Sequence, residues 1–126
     1  MNFVKNLTLS QVNSMIETLI QEMNLDQVYQ AFQTPPENTV FLDIRRPEEW
    51  AEGVIPGAET IRLNNLNQVL EKLDKSKTYI VICRSGFRSE IACQEMAEAG
   101  FKNLFNFADG MLAWYEKGYP TAQVNT

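Results

Sequence analysis

The fold follows from residues 79–89, which read Tyr79-Ile80-Val81-Ile82-Cys83-Arg84-Ser85-Gly86-Phe87-Arg88-Ser89. The first five residues are apolar and three of them are β-branched, which predicts a buried strand over residues 79–83. Residues 84–88 are predicted to form a polar loop, and residues 89–99 a helix that Gly100 ends. A strand that passes through a loop into a helix indicates a strand–helix–strand unit, from which parallel sheets are built.

The same alternation of strands and helices runs through the chain from residue 39 onwards. Short apolar runs predict strands at residues 39–44, near residues 59–63 and at residues 104–107. Helices are predicted from Pro47, around residues 66–73 and over residues 111–117. Strands separated by helices predict the α/β class, with a parallel sheet that helices cover on both faces.

The N-terminal part of the chain has a purely helical pattern. Apolar residues recur at helical spacing from Leu9 to Met23, and Thr8 begins a capping box. A second amphipathic helix is predicted after Asn24, and the Pro35-Pro36 turn ends this part of the chain. We therefore expect a helical extension at residues 1–36, packed on a domain formed by residues 37–126.

Composition excludes several classes of function. The 126 residues contain 11 basic and 16 acidic side chains, and this net charge of −5 argues against nucleic acid or an anionic membrane as a partner. Histidine is absent, which removes the Ser-His-Asp triad, the Cys-His dyad and His-ligated zinc. Two cysteines cannot build a disulfide framework. The N-terminus does not resemble a signal peptide, so we expect a cytoplasmic protein. We also expect that it uses no cofactor or metal.

Cys83 is the candidate nucleophile. It ends the central predicted strand, and ligands of parallel sheets bind beyond the carboxyl ends of the strands. The N–H groups of the following loop, together with Arg84 and Arg88, favour a thiolate over a thiol at this position. Gly86 allows the positive φ that a tight loop needs. Cys93, by contrast, has no neighbouring cation and lies on an apolar helix face, which predicts core packing.

The loop from Cys83 to Ser89 resembles the active-site loop of the rhodanese-like sulfurtransferases. This resemblance implies a three-layer domain with a central parallel sheet of four to five strands, and it covers roughly residues 37–122. Val54 stands where many members have histidine, and Asp109, where glycine is common, is interpreted as a helix N-cap. Two further segments are similar to family signatures and occur in the family's order: Leu42-Asp43-Ile44-Arg45 with Glu49-Trp50, Gly53 and Ile55-Pro56-Gly57-Ala58, and Asp109-Gly110-Met111 with Trp114 and Gly118-Tyr119-Pro120.

The resemblance implies a persulfide relay through Cys83. The thiolate would take the outer sulfur of thiosulfate or of a protein persulfide. A thiophilic acceptor, which could be cyanide, a thiol or a partner protein, would then remove that sulfur. Such a reaction requires no histidine or metal, because fixed backbone dipoles and side-chain charges stabilise the anion.

The resemblance also implies roles for the residues around the nucleophile. The amides of the loop would hold the persulfide anion, while Arg84 and Arg88 attract an anionic donor. Phe87 is expected to shape the mouth of the pocket. Asp43 and Arg45 are expected to form a structural ion pair that orients the loop, and Ser89 is a further supporting residue. The predicted substrate-binding residues are Arg84, Ser85, Gly86, Phe87 and Arg88.

Two other interpretations remain open. A sulfur carrier or persulfide sensor, loaded only by a partner protein, would have the same loop and could dock through the N-terminal helices. A phosphatase or arsenate reductase is disfavoured, because those enzymes place five residues between Cys and Arg. Cys83 and Arg88 have four residues between them, and Ile82 replaces the histidine that typically precedes a phosphatase cysteine.

Overall fold

A computed structural model describes residues 6–124, in which five parallel strands form one sheet. The strands are β1 (Ile20–Met23), β2 (Thr39–Asp43), β3 (Glu59–Thr60), β4 (Thr78–Ile82) and β5 (Leu104–Phe107). The helices are α1 (Leu9–Leu19), α2 (Leu25–Gln33), α3 (Pro47–Trp50), α4 (Leu63–Val69), α5 (Phe87–Glu98) and α6 (Gly110–Glu116), and a 3₁₀ turn at Leu70–Lys72 follows α4. The order across the sheet is β1-β5-β4-β2-β3, which confirms the predicted α/β class with a parallel sheet.

Helices cover both faces of this sheet, as predicted. Side chains alternate between the faces along a strand, so Tyr79 and Val81 of β4 point to one side and Ile80 and Ile82 to the other. The first face packs against α1, α4 and α5, and the second against α2 and α6. Strand β4 is therefore buried on both faces, which accounts for its nearly continuous apolar sequence.

The first helix is shorter than predicted, because its last four predicted residues form a strand. It begins with the expected Thr8 capping box but ends at Leu19, and residues 20–23 form β1 instead. Residues Ile20 to Met23 pair in parallel with Leu104 to Phe107 of β5. A helix over these residues would satisfy its own backbone groups but would leave the edge of β5 unpaired, so tertiary pairing overrides the helical spacing. The second helix begins after Asn24, as predicted, and Asn24 is its N-cap and forms a capping box with Gln27.

The expected role of Asp109 is also corrected. This residue stands at the N-cap position of α6, but its side chain makes no capping bond there. Its Oδ2 instead accepts a hydrogen bond of 2.6 Å from the backbone N–H of Leu25, in the first turn of α2. A carboxylate suits this place because the first N–H groups of a helix lack partners and carry partial positive charge. Asp109 thus ties α2 to the connection between β5 and α6.

Within residues 6–124, no helix is both long and apolar enough to cross a lipid bilayer. The longest helix that the structure describes there, α5, has 12 residues, and its buried apolar side chains belong to the core on one face of the sheet.

Candidate active site

Cys83 lies directly after β4, at the carboxyl edge of the sheet, and only 1% of its surface is exposed. Its Sγ accepts a hydrogen bond of 3.1 Å from the backbone N–H of Gly86 and lies 3.2 Å from Ser89 Oγ. Two other predicted site residues, Gly86 and Ser89, therefore contact the sulfur of Cys83. The loop folds back on Cys83 because Gly86 has a φ of +95°.

Helix α5 begins two residues earlier than predicted, so Phe87 and Arg88 belong to its first turn and not to the loop. Gly86 occupies the N-cap position, and its left-handed conformation sets the direction in which the helix leaves the loop. The sulfur of Cys83 therefore lies near the N-terminus of a 12-residue helix, where the helix dipole provides partial positive charge.

The β5–α6 connection fixes the other side of the loop. The carbonyl oxygens of Cys83 and Arg84 accept hydrogen bonds of 2.9 Å and 3.1 Å from the N–H groups of Met111 and Leu112. A Cβ atom at Gly86 would collide with the carbonyl oxygen of Ala108. The first turn of α6 and the cysteine loop thus approach each other so closely that the loop has little room to rearrange.

A chain of buried hydrogen bonds leads away from Cys83. The Ser89 hydroxyl donates to Asn106 Oδ1 on β5, and the Asn106 Nδ2 donates to Glu22 Oε2 at 3.0 Å and to the Gly86 carbonyl at 3.2 Å. A hydroxyl has one proton, so while Ser89 donates to Asn106 the Cys83 thiol must donate to Ser89. When Cys83 is an anion, rotation of the same hydroxyl supplies a donor to the sulfur.

Arg88 is held by Glu49 of α3. Its Nη1 and Nη2 donate to the two carboxylate oxygens of Glu49 at 2.6 Å and 2.8 Å. This hydrogen bond lowers the pKa of Glu49 to about 2, and it raises the pKa of Arg88. The pair joins the first turns of α3 and α5 across 39 residues of sequence. Two of the guanidinium's donors are thus occupied, and its attraction of an anionic donor stays a prediction.

Asp43 and Arg45 form a buried ion pair at the end of β2, with 2.8 Å between Arg45 Nη2 and Asp43 Oδ2. Arg45 also donates to the Gly53 carbonyl at 3.0 Å and to the Tyr115 hydroxyl at 3.1 Å. Burial opposes the charge of Arg45, but the hydrogen bond and charge of Asp43 outweigh it, so the pKa of Arg45 is raised. The pair connects β2 with the loop after α3 and with α6.

The remaining predicted substrate-binding residues are exposed at the surface. Arg84 and Ser85 are exposed, and Arg84 forms no ion pair with any residue that the structure describes. The side chain of Phe87 is 75% exposed, which puts a large apolar ring on the surface beside the loop. Cys93 lies in the core, as predicted, and burial raises the pKa of its thiol to about 12. A thiol with so high a pKa is a poor nucleophile at neutral pH.

Sequence analysis did not identify Glu22, Glu49 or Asn106 as members of this site. One feature of the sequence could have identified Asn106: it is the only polar residue in the apolar run of residues 104–107. A buried polar side chain needs hydrogen-bond partners, and such a residue at the carboxyl end of a strand is a reasonable candidate for a site. Glu49 belongs to the first family signature but had no role assigned to it, and Glu22 looks like an ordinary surface carboxylate in the sequence.

The parallel sheet, the tight cysteine loop at its carboxyl edge and the two flanking segments define a class of protein. The Rhodanese-like domain family matches residues 24–117, and the chain belongs to this family. YtwF of Bacillus subtilis, which is provisionally named a sulfurtransferase, is 46% identical over 78 residues, or 62% of this chain and 75% of that protein. A sulfurtransferase of Allochromatium vinosum is 32% identical over 84 residues, or 67% of this chain and 78% of that protein.

Solved structures agree with this assignment. The crystal structure of a rhodanese-related protein from Thermoplasma volcanium superimposes with a TM-score of 0.71 at 27% identity, covering 81% of this chain and 97% of that one. The polysulfide-sulfur transferase homodimer of Wolinella succinogenes gives a TM-score of 0.69 at 26% identity, covering 92% and 87%. Both structures share the layered α/β arrangement described above.

Proposed function

We propose that this protein is a sulfurtransferase that carries sulfane sulfur as a persulfide on Cys83. The observation that supports this most directly is the position of the sulfur atom. Cys83 Sγ is enclosed by a short loop, receives the N–H of Gly86 and lies near the N-terminus of α5. These groups stabilise negative charge without reorganisation, as a transferring site requires. The sulfurtransferase names of several relatives support the same reaction class.

In the first half-reaction, the Cys83 thiolate attacks the outer sulfur of the donor. A new S–S bond forms to Cys83 Sγ, and the S–S bond within thiosulfate breaks. The electron pair of the broken bond leaves with sulfite, and Cys83 becomes a persulfide anion. A persulfide donor reacts in the same way and releases its thiolate. This is covalent catalysis by a cysteine nucleophile.

In the second half-reaction, the acceptor attacks the outer sulfur of the Cys83 persulfide. When the acceptor is a thiolate, a new S–S bond joins it to that sulfur, and the bond to Cys83 Sγ breaks. The electron pair returns to Cys83, which is again a thiolate. The acceptor leaves as a persulfide, and cyanide would leave as thiocyanate. Ser89 and the Gly86 N–H are placed to donate to Cys83 in its anionic states.

The decisive experiment measures the intact mass of the reduced protein after brief exposure to thiosulfate, together with the sulfite released. We expect a gain of one sulfur atom that cyanide removes. The gain should disappear in Cys83→Ser and persist in Cys93→Ser, which removes the core thiol as a matched control. The reverse pattern in the two variants would contradict the assignment of the nucleophile.

Two other outcomes would favour the alternative functions. If thiosulfate adds no sulfur but a protein persulfide does, the chain is a carrier that depends on a partner, and the exposed ring of Phe87 is then a candidate contact. Release of phosphate from an aryl phosphate, without sulfur uptake, would favour a phosphatase. The bidentate bond between Arg88 and Glu49 argues against the latter, because a phosphatase needs that guanidinium for its oxyanion.

A further inference from the structure

A cavity of about 140 Å³ opens at the carboxyl edge of the sheet, next to the first turn of α5. Four of the five arginines in the chain line it, although the protein as a whole has a net charge of −5. These are Arg45, Arg46, Arg62 and Arg88, and Asn64 contributes a polar amide. Such a concentration of guanidinium groups in an acidic protein indicates an anion-binding site.

The four charges are not all compensated. Arg45 is paired with Asp43 and Arg88 with Glu49. Arg46 and Arg62 form no ion pair with any of residues 6–124. The cavity therefore retains two positive charges that a ligand of opposite charge could neutralise.

Arg62 provides a second, independent indication. Its Nε is buried and has no hydrogen-bond partner among the residues that the structure describes. Buried donors are nearly always satisfied, and an exception calls for a water, an ion or another acceptor that completes the site. An anion in the cavity would supply that acceptor once the Arg62 side chain turns towards it, because Nε has no accessible surface in the conformation described.

The backbone places this cavity next to Cys83. The N–H of Ile44 donates to the carbonyl of Ile82 at 3.0 Å, and the N–H of Leu63 donates to the carbonyl of Ile44 at 3.1 Å. The chain positions that follow β4, β2 and β3 thus lie side by side along the sheet edge. Neighbouring strands are about 4.8 Å apart, so the cavity is one to two strand spacings from the nucleophile.

We propose that this cavity binds the carboxylate end of a small organic thiol or persulfide whose sulfur atom reaches Cys83. The inference rests on the proposed function and specifies the class of molecule that donates or accepts the sulfur. In thiosulfate the charged group is bonded directly to the reacting sulfur. Cys83 does not line the cavity, most of whose lining residues follow the neighbouring strands β2 and β3. A molecule whose charge is several bonds from its sulfur fits this separation, and planar guanidinium groups match carboxylates.

The first test compares acceptors that differ in charge. The persulfide of Cys83 is formed in advance, and its discharge is timed with mercaptosuccinate, which has two carboxylates, and with neutral 2-mercaptoethanol. The measured quantity is the ratio of the two second-order rates in the wild type, in Arg62→Gln and in Arg46→Gln. Lys102→Gln is the matched control, because it removes an exposed positive charge outside the cavity.

We expect the ratio to fall about tenfold in Arg62→Gln, as the loss of a charge-assisted hydrogen bond implies, and to stay unchanged in Lys102→Gln. Arg46 is exposed, so its replacement tests the charge effect even if Arg62→Gln perturbs folding. A ratio that is the same in the wild type and in both arginine variants would overturn the inference while leaving the sulfurtransferase function intact.

The second test does not depend on turnover. Succinate and sulfate are titrated calorimetrically into Cys83→Ser protein at constant ionic strength, with and without the additional Arg62→Gln substitution. The inference requires that succinate binds, and that it binds more weakly when Arg62 is replaced. Succinate binding that is absent, or that is unaffected by Arg62→Gln, would refute it. Sulfate binding more tightly than succinate would also refute it, because the cavity would then be built for an inorganic oxyanion.

Discussion

The cysteine loop should tolerate no side chain at Gly86, and Gly57 offers a control that isolates the reason. The two glycines have similar backbone conformations, with φ of +95° at Gly86 and +86° at Gly57. A Cβ at Gly57 meets nothing within 4 Å, whereas a Cβ at Gly86 collides with the carbonyl oxygen of Ala108. The substitutions Gly86→Ala and Gly57→Ala therefore share the strain of a positive φ, and only Gly86→Ala adds a steric collision.

A left-handed conformation costs a non-glycine residue about 1 kcal/mol. Forcing an extra methyl group into a packed region costs about 2 kcal/mol more. We therefore expect Gly57→Ala to lower the free energy of unfolding by about 1 kcal/mol and Gly86→Ala to lower it by about 3 kcal/mol. The Gly86→Ala variant should also fail to form the persulfide, because the backbone N–H of residue 86 that contacts Cys83 Sγ must move.

Urea unfolding, followed by the fluorescence of the buried Trp114, measures both free energies, and the intact-mass assay measures sulfur uptake. Equal destabilisation of the two variants would show that the loop relaxes around the added methyl group. Full sulfur uptake by Gly86→Ala would refute the view that this tight loop geometry is needed for the chemistry.

Three other perturbations test separate parts of the site. Ser89→Ala should slow persulfide formation about tenfold, because the anion of Cys83 loses a donor, and Ser89→Thr should restore the rate in a stopped-flow sulfite assay. Glu49 has a lowered pKa in the folded protein, so its stabilising effect is complete above about pH 4.5 and is lost as the pH falls towards 2. Acid unfolding of Glu49→Gln should accordingly depend less on pH over that interval, and an unchanged profile would exclude the contribution. Arg45→Ala should destabilise the fold by about 3 kcal/mol in urea unfolding, since it leaves the carboxylate of Asp43 buried without a positive charge beside it and with hydrogen bonds only from the Trp50 indole and the backbone N–H of residue 45. A loss below about 1 kcal/mol would mean that water reaches this carboxylate.

The central part of the site could be predicted because its signals are local in sequence. Residues 79–83 have the composition of a strand buried on both faces. Cys83, Gly86 and Ser89 lie within seven consecutive residues, and the latter two contact the sulfur of Cys83. A glycine at the bend and a helix after it are sufficient to orient the sulfur. The placement of these three residues therefore required no knowledge of distant contacts.

The partners of these residues could not be predicted because they are distant in sequence. Glu49 is 39 residues from Arg88, and Glu22 is 84 residues from Asn106. Glutamate at an exposed helix terminus or strand edge is common, and nothing in its immediate neighbours reveals a long-range bond. Only the order of strands in the sheet determines which carboxylate meets which cation or amide.

Strand β1 illustrates a different limit. Its apolar residues Ile20 and Met23 have a spacing that also fits one face of a helix, and only four residues distinguish the alternatives. Short apolar segments are ambiguous between helix and strand. What decides the outcome is the free edge of β5, which the sequence of residues 20–23 does not contain.

The position of β1 has a consequence for shortened forms of this protein. A chain that starts anywhere between residues 24 and 36 keeps the cysteine loop but lacks β1, so the backbone of β5 becomes an unprotected edge. Unpaired strand edges recruit other chains into continuous sheets, and β5 is largely apolar over Leu104 to Phe107. By pairing with β5, residues 20–23 therefore also oppose self-association. Proteolysis that removes the residues before Asn24 should cause aggregation and not only a gradual loss of activity.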